Sequence, residues 1–162
     1  MKPDLQQLIS DCSSELSDIS QRIAGLSPLD NLKLYLTNYA LIKACGTIEF
    51  TYKAIVADFF DQFASPQIET YLEKTIRKAS SSALYSNMCD MLGKFDGAWT
   101  SNFKQTVEAN PDKQRLISSV SSLVNNRHSF AHGLNPTATF SDIHQYFKDG
   151  IILIQIFDTI VR

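Results

Sequence analysis

Arg127 and His132 are the two residues whose types and spacing best suit acid–base chemistry on a phosphate. They stand five positions apart in the run RHSFAH, which Gly133 follows. The guanidinium of arginine is a permanently charged, forked donor for phosphate oxygens, and histidine exchanges a proton near neutral pH. One residue can therefore stabilise negative charge on a phosphate while the other transfers protons.

The position of Arg127 on its helix distinguishes it from an ordinary surface charge. At about 100° per residue, Arg127 falls within an apolar stripe of the helix that we predict from Pro111 to His132. The other members of the stripe are Leu116, Ile117, Val120, Leu123, Val124 and Ala131. An arginine in that place must be paired, or it must line a cleft that the fold leaves open.

Glu49 repeats this anomaly with the opposite sign, on a long helix predicted from about Pro28 to Phe63. It lies near the centre of an apolar face that comprises Ile42, Cys45, Tyr52, Val56, Phe59, Phe60 and Phe63. One interpretation is a structural ion pair between Glu49 and Arg127, because buried charges are normally paired. The other is that Glu49 holds Arg127 so that it points into a site, and the two interpretations are compatible.

The rest of the sequence is also helical in its periodicity, so we predict an all-α, single-domain bundle of about five or six helices over residues 1–162. A capping side chain precedes a proline at Ser27-Pro28, Ser65-Pro66 and Asn110-Pro111, and each pair is typical of a helix start. The other predicted helices run from about Asp4 to Ala24, from Pro66 to Ala79, and from near Ser141 to the C-terminus, with two short helices between Ser80 and Asn110.

Three stretches of the chain together resemble the HEPN family. They are LVNNRHSFAHG, the terminal helix starting SDIHQYF, and the glutamate-containing CGTIEFTY. The family signature is an arginine, a polar residue, three variable residues and a histidine, and the resemblance covers nearly the whole chain. The most similar group is the stand-alone RiboL-PSP-HEPN and MAE-type proteins of defence and toxin–antitoxin loci. The resemblance implies a HEPN-like bundle that forms a homodimer with facing motifs and cleaves RNA without a metal ion.

Given that resemblance, Arg127 and His132 are the expected catalytic residues. Cleavage through the 2′-hydroxyl of RNA needs a base, an acid and positive charge on the phosphate, which these two residues can supply. His128, at the polar position of the motif, and Glu49 are expected auxiliary residues. Asn126 could contact phosphate or ribose, or it could cap the backbone locally. No cofactor and no metal ion are expected.

The spacing of Arg127 and His132 poses a geometric difficulty. Residues five apart on an ideal helix differ by roughly 140° in direction, so the two side chains do not share a face. Gly133 could adopt the left-handed conformation that ends a helix and release His132 from helical geometry. Alternatively, a two-fold dimer brings Arg127 of one chain to His132 of the other, and we favour this composite site.

The composition sets limits on other functions. The net charge is −2 and the pI is about 5.9, which argues against a general nucleic-acid coat but permits a local positive cleft. Three cysteines without zinc-site spacing and the absence of any apolar run near 20 residues favour a cytoplasmic protein with no membrane partner. The rival function is a catalytically silent HEPN module that acts as a dimerising scaffold or partners a nucleotidyltransferase. An antitoxin is the other expected kind of partner.

Overall fold

The computed structural model describes residues 1–27 and 29–161, and every regular element in those ranges is helical. The α-helices there are α1 (Pro3–Ala24), α2 (Asn31–Asp61), α3 (Pro66–Leu72), α4 (Tyr85–Gly93), α5 (Gly97–Glu108), α6 (Lys113–Ala131) and α7 (Phe140–Ile160). A π-helical turn, Glu73–Arg77, continues α3. The predicted all-α class is confirmed, and the seven helices slightly exceed the expected five or six.

Two helices begin at side-chain caps, and the cap of α3 is one that the sequence marks. The hydroxyl of Ser65 accepts a hydrogen bond from the backbone N–H of Ile68 at 3.4 Å, so α3 begins at the predicted serine–proline pair. At the start of α7, Thr139 and Asp142 form a capping box in which each side chain accepts from the backbone N–H of the other. This reciprocal bonding satisfies two amides that a helix start otherwise leaves without partners.

The other two proline-marked starts lie a few residues later than predicted. Pro28 is outside the described residues, and α2 begins after Asp30, whose carboxylate accepts from the N–H of Leu32 at 2.8 Å. The side chain of Asn110 accepts from the N–H of Asp112 at 2.9 Å and forms a turn ahead of α6. The hydroxyl of Ser27 likewise accepts from the N–H of Leu29 at 3.4 Å. Both corrections therefore have one cause, since a short polar side chain can close a turn as well as cap a helix.

Helices α2, α6 and α7 pack against one another at the centre, and α1 covers α2 while α5 packs on α7. The buried apolar residues of the described ranges form one continuous cluster. Gly150 lies at a close approach of α7 to α2, because a Cβ added there would be 2.3 Å from Cδ1 of Ile48. A larger residue at this position would have to displace the end of the Ile48 side chain.

The predicted apolar face of α2 is only partly correct. Cys45, Tyr52 and Val56 are buried as expected, whereas Ile42 and Phe63 are exposed. Phe63 follows the end of α2, so the helical periodicity no longer places it on the core side. Ile42 lies on the side of α2 that faces solvent beside the end of α6, where Ala131 is exposed as well. No helix within the described ranges is long and apolar enough to cross a membrane.

Candidate active site

The helix that carries the RHSFAH run ends where the sequence predicts, in a Schellman motif. Gly133 has a positive φ of 74°. The N–H of Leu134 donates to the carbonyl of Ser129 at 2.9 Å, and the N–H of Gly133 donates to that of Phe130 at 3.0 Å. These bonds satisfy carbonyls that the end of α6 would otherwise leave free. His132 is the last residue before the glycine, and it is exposed.

Arg127 lies one turn before the end of α6 and is directed against α2. Its guanidinium nitrogen Nη2 is 3.4 Å from Oε2 of Glu49, and the two side chains keep 28% and 26% of their surface exposed. The thiol of Cys45, one turn earlier on α2 than Glu49, interacts with Arg127 electrostatically. Burial raises the pKa of Cys45, and the interaction with Arg127 acts in the opposite direction. The expected pairing of Glu49 with Arg127 is therefore present.

Lys53 is a third member of this charged group, and the sequence pattern does not predict it. Its Nζ donates to Oε1 of Glu49 at 2.7 Å and to the backbone carbonyl of Ala79 at 2.5 Å, with only 4% of the side chain exposed. Lysine four residues after glutamate is typical of an exposed pair on one helix, so the sequence contains no signal that Lys53 is buried. Glu49 is shared between two cations, and its shorter bond is to Lys53.

Two clefts meet at the pair formed by Glu49 and Arg127. We call the first the polar cleft; it has a volume of about 340 Å³ and is lined by Glu49, Ser80, Ser81, Ser82, Asn87, Arg127 and His128. We call the second the apolar cleft; it has a volume of about 430 Å³ and is lined by Ile42, Gly46, Glu49, Phe50, Lys53, Arg77, Arg127 and Ala131. Arg127 thus lines an open cleft and is paired, which are the two outcomes that its position on α6 predicts.

The candidate residues are distributed unequally between these clefts. His128 lines the polar cleft beside Arg127, whereas His132 lines neither cleft. No hydrogen bond or ion pair between described side chains joins His132 to Arg127. The left-handed glycine cap is present, yet it does not bring the two residues of one chain together.

The side-chain amide of Asn126 forms hydrogen bonds with backbone groups. Its Oδ1 accepts from the N–H groups of Thr137 and Ala138 at 2.8 and 2.9 Å, and its Nδ2 donates to the carbonyl of Ser122 at 2.9 Å. The side chain therefore fastens the loop after α6 back onto that helix, as the local-cap interpretation expects. A contact between Asn126 and RNA stays a prediction.

The fold and the site together define a class of protein. The bundle is all-helical, and its helix α6 ends with an arginine, a polar residue, three further residues and a histidine. This is the pattern of the HEPN signature. The sequence model of the RiboL-PSP-HEPN family matches residues 7–162, and the chain belongs to that family. No curated protein and no solved structure matches the chain.

Proposed function

We propose that this protein is a metal-independent RNA endonuclease that cleaves through the RNA 2′-hydroxyl, with Arg127 and His132 as its catalytic residues. The observation that carries the proposal is the placement of Arg127 at the junction of two open clefts, held by Glu49 and next to His128. A permanently charged guanidinium that lines a cleft suits a bound phosphate. Membership of the HEPN family supports the same assignment.

The proposed reaction transfers the phosphate within one RNA strand. The 2′-oxygen attacks the adjacent phosphorus as its proton leaves, and the bond from phosphorus to the 5′-oxygen breaks as that oxygen gains a proton. The products are a 2′,3′-cyclic phosphate and a 5′-hydroxyl. His132 performs one proton transfer, His128 is available for the other, and Arg127 stabilises the negative charge that builds up on the phosphate.

The position of His132 is the reason to place the reaction in a homodimer. Within one chain His132 lies outside both clefts that Arg127 lines. A two-fold axis near the end of α6 would bring the partner's His132 to Arg127 and would complete two equivalent sites. Each site would then take its arginine from one chain and its histidine from the other.

An exposed apolar face of α2 supports such an assembly. Tyr35, Tyr39, Ile42 and Phe50 are between 42% and 66% exposed. Together with Gly46 they follow one side of the helix at spacings of three and four residues. Ile42, Gly46 and Phe50 line the apolar cleft, so this face is continuous with the site. Contiguous exposed apolar side chains are typical of protein–protein interfaces.

The same face favours the alternative function, a HEPN scaffold without catalysis. Such a module would use α2 to dimerise or to bind a nucleotidyltransferase, and Glu49 would hold Arg127 for structural reasons alone. In either case we place the protein in the cytoplasm, where three buried free cysteines persist as thiols. The nuclease would act there as a toxin or phage-defence effector, with an antitoxin as the partner that restrains it.

Induced expression of wild type beside His132→Ala tests the nuclease against the scaffold. We expect wild type to arrest growth and fragment cellular RNA, and His132→Ala to do neither while it accumulates as a folded protein. His144→Ala is the matched control, because His144 lies on α7 and lines neither cleft. RNA that stays intact with wild type would favour the scaffold, whereas RNA that is cut equally by His132→Ala would contradict the assignment of His132 as a catalytic residue.

A further inference from the structure

The polar cleft contains hydrogen-bonding groups that neither the fold nor the proposed catalytic step uses. Ser80 is exposed at the cleft, and its hydroxyl makes no hydrogen bond within residues 1–27 and 29–161. In the same ranges the Oδ1 of Asn87 has no partner. A donor and an acceptor are therefore free beside Arg127, where the proposed reaction would hold a phosphate.

The segment that lines the polar cleft from Ser80 to Asn87 is held in place by hydrogen bonds, including one from a buried side chain. Tyr52 has no exposed surface, and its hydroxyl donates to the Ser81 hydroxyl oxygen at 2.8 Å. Burial raises the pKa of Tyr52 to about 12, so its hydroxyl keeps the proton that it donates. The Nδ2 of Asn87 donates to the hydroxyl and the carbonyl of Ser82 at 3.0 and 3.1 Å. Because the segment is held in this way, the free groups of Ser80 and Asn87 lie at defined positions.

The size and charge of the polar cleft restrict what it can bind. Its volume of about 340 Å³ is at the lower end of the range of roughly 300–1,000 Å³ for ligand sites, which suits a single nucleoside better than a stack of bases. Arg127 offers one positive charge, and Glu49 disfavours a second anion beside it. The other lining groups are hydroxyls, an amide and an imidazole, which bind neutral polar groups such as ribose hydroxyls and base edges.

We propose that the polar cleft binds the nucleoside on the 5′ side of the scissile phosphate, with Ser80 and Asn87 contacting its ribose or base and Arg127 its 3′-phosphate. The inference rests on the proposed nuclease function, because that nucleotide carries the 2′-hydroxyl that attacks. Holding its ribose fixes the attacking oxygen relative to the phosphorus, which accelerates a reaction of this kind. Ser80 and Asn87 are then determinants of substrate binding outside the Arg127–His132 motif.

The four nucleoside 3′-monophosphates are suitable probes, since each combines one nucleoside with the phosphate position proposed for Arg127. Titration of the full-length protein followed by NMR should perturb the backbone amides of residues 80–82 and 87 first. Ser80→Ala should weaken binding about threefold to tenfold through the loss of one hydrogen bond. Ser80→Trp, which fills the mouth of the cleft, should abolish it. Ser14→Ala and Ser14→Trp are the matched controls, because Ser14 is exposed on α1.

The outcomes separate this inference from the nuclease assignment. Binding at residues 80–87 that Ser80→Trp removes and Ser14→Trp preserves supports the subsite, even if the protein cuts no RNA. The subsite is overturned if no probe binds at millimolar concentration, if the perturbed amides lie elsewhere, or if the Ser80 and Ser14 variants bind equally. RNA cleavage with an unchanged KM in Ser80→Trp would leave the nuclease standing and remove the subsite.

Discussion

At the scale of single residues, the two oxygens of Glu49 have different partners and contribute differently to the free energy of unfolding. Oε2 faces Arg127 at 3.4 Å, and both of those side chains are more than a quarter exposed. Ion pairs with that much solvent are worth about 0–1 kcal/mol. Oε1 lies 2.7 Å from the nearly buried Lys53, and breaking a buried pair costs about 3–5 kcal/mol. Glu49 thus stabilises the fold mainly through Lys53, which leaves Arg127 freer to exchange Glu49 for a phosphate.

The first prediction follows from the unequal stabilisation of the fold by the Glu49–Lys53 and Glu49–Arg127 ion pairs. Glu49→Ala should lower the free energy of unfolding by about 3 kcal/mol, because it leaves the Lys53 ammonium buried without its carboxylate. Lys53→Met should recover a large part of that loss in the double variant. Arg127→Ala combined with Glu49→Ala should be additive within about 1 kcal/mol. Urea unfolding of the single and double variants measures both couplings. A larger coupling for Arg127 than for Lys53 would contradict this account.

The sequence predicts residue contacts where a residue type conflicts with its position. Arg127 and Glu49 each interrupt an apolar face, and opposite charges in two such places indicate a pair. The burial of Lys53 is not predicted, since a lysine one turn after a glutamate has the spacing of an exposed helical pair. Its burial is caused by the segment after the π-helical turn, where the carbonyl of Ala79 accepts its second hydrogen bond. That segment has no regular periodicity from which its path could be inferred.

At the scale of elements, α2 has two different apolar sides. One side, which includes Cys45 and Tyr52, is buried in the core. The other, from Tyr35 to Phe50, is exposed and ends at the apolar cleft. Gly46 lies on the exposed side, and a Cβ there would meet no atom within 4 Å. Packing within one chain therefore does not require that glycine, whereas a partner helix that approaches closely would.

The second prediction tests this exposed side as the dimer interface. Ile42→Glu and Phe50→Glu should convert a two-fold dimer into a folded monomer and abolish RNA cleavage, because each places a charge in the middle of the apolar contact. Ile68→Glu is the matched control, since Ile68 is exposed to a similar degree but lies on α3. Light scattering at micromolar concentration reports the mass. A wild-type protein that is monomeric there, or variants that remain dimeric, would refute the interface.

Helix boundaries could be predicted where the residue at the helix end has the role that the sequence pattern indicates. Ser65 caps α3 as the sequence indicates, and Gly133 ends α6 in the left-handed conformation. Asn110 has two available roles, and it closes a turn ahead of α6 instead of capping it. The sequence predicts the exposure of side chains less well than the boundaries of helices, because the side on which a helix meets its neighbours depends on long-range packing. Ile42 is an example, since it has helical spacing from Cys45 and nevertheless faces solvent.

At the scale of the whole molecule, the proposed nuclease site takes its arginine from one chain and its histidine from another. A heterodimer of Arg127→Gln and His132→Ala chains would then contain one site with both substitutions and one with neither. The third prediction is that this heterodimer, isolated with two different affinity tags, regains about half of the wild-type activity per dimer. Each variant alone should be inactive. A heterodimer as inactive as either variant would contradict a composite site.

We propose above that Arg127 and His132 cleave RNA through its 2′-hydroxyl without a metal ion. The most direct measurement incubates purified protein with RNA in excess EDTA and determines the end groups of the products by mass spectrometry. We predict a 2′,3′-cyclic phosphate and a 5′-hydroxyl, no cleavage by folded His132→Ala, and resistance of the strand when the nucleotide before the cut is 2′-deoxy. Equal cleavage of DNA, or cleavage only after a divalent metal ion is added, would contradict the claim.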